Sequence, residues 1–121
     1  AACLANLSHL ATLLDIHRAE KRAFPAGAGA RFLDQLERYG RDRMPKLAFL
    51  TRPPRSTQAT RTAYRGPARA LPASAPAATP VVADWSDEHP GGILHVLYAD
   101  GRVATLRPGT PEYAAALEAT Q

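Results

Sequence analysis

Asp84, Ser86 and His89 supply the three residue types of a nucleophilic triad within six positions of one another. They lack the G-x-S-x-G setting that holds a serine on a strained elbow, and residue types without that geometry do not make a hydrolase. The reading preferred for Asp84 and His89 is that they hydrogen-bond loop backbone and pin the start of the strand that follows. A second chemistry is metal binding: Asp84, Asp87, Glu88 and Asp100 offer the hard oxygen ligands that calcium takes. Their spacing matches no defined calcium loop, and a solvated acidic turn is the commoner explanation for such a set. Zinc is less well served, because His9 and His17 are eight apart, His89 and His95 belong to a different element, and Cys3 has no cysteine near it. A third chemistry is polyanion contact. The run Arg43, Lys46, Arg52, Arg55, Arg61, Arg65 and Arg69 could meet phosphates, with Tyr64 as the one stacking residue, or could serve as solvated or subunit-contacting arginines.

The element that must position the first two sets runs from Asp84 to Leu106. Pro90-Gly91-Gly92 halts the chain, Ile93 to Ala99 is an apolar run, and Asp100-Gly101 is a two-residue turn signal, so a β-hairpin is predicted with Arg102 to Leu106 as its return strand. A two-residue turn sets Tyr98 opposite Val103 and Leu97 opposite Ala104. One face then carries Leu94, Val96, Tyr98 and Val103. The other carries His95, Leu97, Arg102 and Ala104, and its ionisable groups mark it as the solvent side.

The 121 residues suit one domain with a single modest core. Much of the 45% apolar content is alanine, which predicts a thin core built partly from small side chains. The net charge of +4 is unevenly placed: residues 1–42 hold six basic and five acidic side chains, residues 43–83 seven basic and none acidic, and residues 84–121 two basic and six acidic. A basic middle and an acidic end can neutralise each other within the fold or between copies, which competes with an outside polyanion. A lone cysteine excludes an internal disulfide, and no stretch reaches the roughly 20 apolar residues of a membrane span.

In chain order, residues 1–24 read as an amphipathic helix with Leu4, Leu7, Leu10, Ala11 and Leu14 on one stripe, stopped at Phe24-Pro25 and Gly27. It starts in full register without a capping residue, so a longer helix, continued upstream by an apolar half, is expected. Arg31 to Tyr39 is a short helix with Phe32, Leu33, Leu36 and Tyr39 as its stripe and Gly40 as its stop. Leu47 to Leu50, Thr60 to Arg65 and Val81 to Asp84 are short strand candidates, and Ala68 to Pro80 is an exposed Ala/Pro/Ser loop that need not pack. Thr110-Pro111-Glu112 places a capping hydroxyl, a first-turn proline and an early carboxylate ahead of a C-terminal helix over Tyr113 to Ala119. The order implies an α+β fold with a long N-terminal helix on a small antiparallel sheet. Its parts are the helix (1–24), a variable helix and loop region (25–80) and the hairpin region (81–121).

The string His89-Pro90-Gly91-Gly92, leading through an apolar strand to Asp100-Gly101, resembles the H-x9-DG signature of type IV pilin-like proteins processed by prepilin peptidase, relatives of the type II secretion pseudopilins. Cys3-Leu4-Ala5-Asn6-Leu7 with Leu10, Leu14 and Phe24-Pro25 is similar to the post-membrane half of that family's N-terminal helix, and Tyr64-Arg65-Gly66 and Val81-Val82-Ala83-Asp84 fit the group. Ten residues rather than nine separate His89 from Asp100, so an extra residue is expected in the loop or as a bulge near Ile93. The resemblance implies a pilin-like fold and a non-enzymatic subunit of a pseudopilus or pilus-like fibre. An upstream half-helix would hold it in the inner membrane, with the head on the periplasmic or extracellular side. It also implies other pilin-like subunits as partners, calcium in the C-terminal region, and no small-molecule substrate. The alternative is a DNA- or ligand-binding head using the basic 43–69 segment.

Overall fold

Leucines at three- and four-residue steps make the N-terminal segment a helix and decide which side of it is covered. The computed structural model describes residues 2–41 and 64–121, and in it helix α1 runs over Ala2–Lys21. Leu7, Leu10, Ala11, Leu13 and Leu14 are buried, while Ala5, Ser8, His9, Thr12, Asp15, Ile16 and Ala19 are exposed along the opposite side. The helix stops three residues before Phe24. Arg22 takes a left-handed φ of 56° and donates its N–H to the Arg18 carbonyl (2.8 Å), so the chain reverses there and Phe24 folds back into the core. Arg18 and Lys21 lie in the last turn, where cations complement the helix dipole. Arg18 also stacks over Phe24 (4.3 Å) and donates to the Ala99 carbonyl (3.0 Å), joining the end of the helix to the hairpin turn.

Helix α2, Gly29–Gly40, buries Phe32, Leu33 and Leu36, as its periodicity predicts. The helix ends at Gly40, where the stop is expected, and the glycine also serves packing: a Cβ there would meet Leu13 Cδ2 at 2.5 Å, so the missing side chain lets α1 and α2 approach closely.

The sheet has three antiparallel strands in the order β1 (Pro80–Ala83), β2 (Leu94–Tyr98), β3 (Val103–Leu106), followed by helix α3 (Pro111–Ala119). The α+β class holds, with a correction in the hairpin. Leu97 pairs with Val103 and Val96 with Ala104, one residue away from the expected register. Tyr98 donates to Arg102 O (2.8 Å) and Gly101 to Tyr98 O (2.9 Å), which makes a three-residue loop, Ala99-Asp100-Gly101, closed by Gly101 at φ 90°. The slip moves Val103 to the face of Leu97 and Ala104 to the face of Val96. The β2–β3 ladder is regular from Leu94 to Leu97, so the extra residue between His89 and Asp100 makes no bulge in it, and a separate irregularity lies in β1, between the Pro80 and Val82 pairings.

Neither face of β2 is solvent; all five of its residues are buried. Leu97 and Ala99 join α1, α2, Val81, Val82 and Tyr64 in one cluster, and Leu94, Val96 and Tyr98 join Ala83 and Ala116 of α3 in another. The core is also thicker than the alanine content suggested. Phe32 and Leu7, Leu10, Leu13, Leu14, Leu33, Leu36, Leu94 and Leu97 are fully buried, each contributing about 2 kcal/mol of transfer free energy.

The Ala/Pro/Ser loop packs more than expected. Leu71 and Ala75 lie against the larger cluster, and the loop pairs with the hairpin turn through Ala99 N–H to Thr79 O (2.9 Å) and Asp100 N–H to Ala77 O (3.2 Å). Thr110 caps α3 by accepting from the Tyr113 N–H (3.3 Å). The strand candidate at Leu47 to Leu50 lies outside the described residues. So does most of Thr60 to Arg65, of which Arg65 makes an isolated bridge to Ala83.

Candidate functional site

Three segments of chain converge where β1 ends and β2 begins. Asp84 follows the last residue of β1, its N–H donates to the His95 carbonyl (3.1 Å), and its side chain is 1% exposed. His95 lies opposite on β2 and is itself buried. His89 arrives from the connection between them, where Ser86–Glu88 forms a short 3₁₀ turn and Pro90–Gly92 a second tight turn. Gly91 and Gly92 take φ of 75° and 69°, a region that a residue with a Cβ rarely adopts, so these glycines permit the fold-back that returns His89 to Asp84. The Tyr113 hydroxyl of α3 donates to the Gly92 carbonyl (2.7 Å) and holds the turn against the second core cluster.

The Asp84 carboxylate accepts three N–H groups. The His95 backbone N–H reaches Oδ1 (2.8 Å), and His95 Nδ1 and His89 Nε2 both reach Oδ2, at 2.5 and 2.6 Å. A neutral imidazole has one N–H, so these contacts correspond to the Nδ1–H tautomer of His95 and the Nε2–H tautomer of His89. The rings meet edge to face with centroids 4.7 Å apart. A buried carboxylate needs this density of donors, since an unpaired buried charge is strongly unfavourable. Ser86 meets His89 through its backbone, its carbonyl accepting the His89 N–H (3.4 Å). Asp84 pins the start of β2 through a strand N–H, that of His95, instead of the loop backbone expected, the His89 ring reaches the Asp84 carboxylate, and His95 is the partner that sequence reasoning missed. Its signal was a histidine inside a wholly apolar strand run, the position where a buried polar partner is required.

The other candidate residues are dispersed. Asp100 lies at the far end of β2 from Asp84, in the hairpin loop, where its Oδ1 accepts the Arg102 N–H (2.9 Å). Asp87 is exposed in the 3₁₀ turn, and the Glu88 side chain lies outside the described atoms. Among the described residues, the only group of three or more potential metal ligands within reach of one another is Asp84, His89 and His95.

Of the arginines proposed for polyanion contact, Arg52, Arg55 and Arg61 lie outside the described residues, and Arg69 is exposed. Arg65 is turned inward. It donates through Nε to Thr120 Oγ1 (3.0 Å) and through a terminal nitrogen to the Leu117 and Thr120 carbonyls (2.9 and 2.7 Å). Helix α3 has no basic residue in its own last turn, so Arg65 supplies the cation that its C-terminal carbonyls favour. Burial pushes the Arg65 guanidinium below the ordinary arginine range, and Tyr113 opposes that shift.

No protein-family model, curated protein or solved structure matches the chain.

Proposed function

We propose that this domain is the head of a pilin-like, non-enzymatic subunit of a type II secretion or type IV pilus-like fibre. The observation that carries the reading is the way α1 is used. Leu7, Leu10 and Leu14 lie in the core shared with Leu97 and Ala99 of the hairpin, while the opposite side presents Ser8, His9, Thr12, Asp15 and Ile16 along the helix. A helix bound to its own sheet by one side and exposed on the other suits lateral packing between copies. The glycine turns after His89 and the Asp100-Gly101 loop bound the same strand, which agrees with the motif resemblance. No helix among the described residues is long and apolar enough to cross a membrane. In this reading, which rests here on the motif resemblance, the inner-membrane anchor is an upstream half-helix and the head lies on the periplasmic or extracellular side.

The test uses the whole gene product in cells. With Cys3 replaced by serine, a Ser8→Cys/Asp15→Cys double variant, with two exposed cysteines per subunit, should fractionate with membranes and form disulfide-linked ladders under oxidation, whereas Leu33→Cys alone, in the buried core, should give no cross-link. A product found only in the cytosol, or no ladder from the double variant, would overturn the assignment.

A further inference from the structure

We propose that Asp84, His89 and His95 form a binding site for one first-row divalent transition-metal ion, with zinc as the reference ion. The proposal stands apart from the fibre reading and rests on the side chains alone. Their donor atoms, one carboxylate oxygen and two imidazole nitrogens, lie within 4.8 Å of one another. A nitrogen-rich set of this kind suits zinc and its neighbours and is a poor match for calcium or magnesium, which take oxygen. This is a different site from the oxygen set of Asp84, Asp87, Glu88 and Asp100.

The surroundings are those of a supported site. Asp84 Oδ1 is held by the His95 backbone N–H, leaving Oδ2 directed at both rings. The turn that follows His89 is held by Tyr113 through Gly92. Such outer contacts orient ligands before a metal arrives. Access comes from one side, because the His89 side chain is 16% exposed while Asp84 is 1% exposed. The charge also fits: a carboxylate with two neutral rings carries −1, and a divalent ion converts that buried group to +1.

Tetrahedral coordination at zinc distances separates neighbouring donors by about 3.3 Å. Oδ2 must therefore draw back from its present 2.5 and 2.6 Å contacts while the ring nitrogens close around the ion, and half-buried His89 has the most room to move. Each neutral ring passes its N–H proton to its other nitrogen, so binding releases no net proton from them. Three protein ligands leave a fourth position for water on the open side. The ion would tie the end of β1, the two-turn connection and β2 together.

The test titrates Zn²⁺ into the chelator-treated 121-residue chain by calorimetry and follows Co²⁺ by its visible d–d absorption. One ion should bind per chain with a rise in melting temperature. His89→Ala, on the exposed side, should weaken binding about tenfold or more and abolish the tetrahedral cobalt spectrum. Asp84→Asn should do the same while keeping the fold, since its amide can donate to both rings once they exchange tautomers. His9→Ala and Cys3→Ser should bind as the parent does. Absence of 1:1 binding, binding unchanged in both His89→Ala and Asp84→Asn, loss of binding on removing Cys3 or His9, or a thermal shift with Ca²⁺ alone would each overturn the site.

Discussion

The two ends of β2 each carry an aspartate beside a glycine turn, and the two carboxylates do opposite work. At the start of the strand, Asp84 is 1% exposed and takes three donors from two histidines, His89 and His95. At the far end, Asp100 is exposed and takes one, from a residue two positions away. Identical side chains thus serve as a long-range clasp and as a local turn brace. The difference comes from what each end is packed against. The first end is covered by the chain's own connection and braced by α3, whereas the second projects toward solvent beside the Ala77 to Thr79 segment. A polar group becomes costly to remove when its partners have no water to turn to.

Asp84→Ala therefore gives the largest expected effect. It strands the His95 backbone N–H and both ring N–H groups, two of the three within buried structure, and should lower stability by about 3 kcal/mol or more. Chemical denaturation checks this directly. A loss under about 1 kcal/mol would mean that water reaches these donors and that the clasp is weaker than its geometry suggests. The comparison sharpens with Asp84→Asn, which should recover most of the loss through tautomer exchange.

The second effect belongs to the turn end. Gly101 sits at φ 90° with nothing near its would-be Cβ, so its role is conformational rather than steric. Gly101→Val should cost about 1 kcal/mol or more, because a β-branched residue resists positive φ. The melting temperature measures it. Amide exchange should quicken at Tyr98, whose N–H donates across the loop, and stay slow at His95, which Asp84 holds. Equal quickening at both ends would show that the hairpin opens as one unit and would erase the distinction.

How much of this was legible in the sequence follows the range of the interactions. The stripe Phe32, Leu33, Leu36 and the cap Thr110-Pro111-Glu112 are local signals, and both elements stand where they predict. The Asp100-Gly101 signal found the hairpin but missed its register by one residue. That signal fits two- and three-residue loops alike, and the choice is made alongside Thr79 and Ala77, whose carbonyls accept from Ala99 and Asp100. The Asp84–His95 pair depends on β1 lying beside β2, so no spacing rule along the chain reveals it. The charge on Arg65 suggested an outside partner because nothing in its neighbourhood announces the end of α3, some fifty residues on. Where a helix lacks its own terminal cation, a distant one can fill the place, and only the fold says which.

Asp100→Ala is the smallest of these effects and the sharpest control. Its carboxylate accepts the Arg102 N–H from two residues away, the arrangement by which aspartates stabilise turns locally. When that oxygen is removed, the N–H is in an exposed loop where water can replace it, so no buried donor is stranded. Gly101 still supplies the positive φ, and the Gly101 N–H to Tyr98 O bond still closes the loop. The expected loss is about 0.5 kcal/mol, read as a small shift in denaturation midpoint with faster exchange confined to Arg102. The metal affinity measured in the parent should be unchanged, since Asp100 lies at the other end of the strand from His95. A loss comparable to that of Asp84→Ala would mean that the turn and the clasp form one cooperative element. A fall in calcium-dependent stability would instead restore Asp100 to a ligand set and move the metal chemistry to the turn.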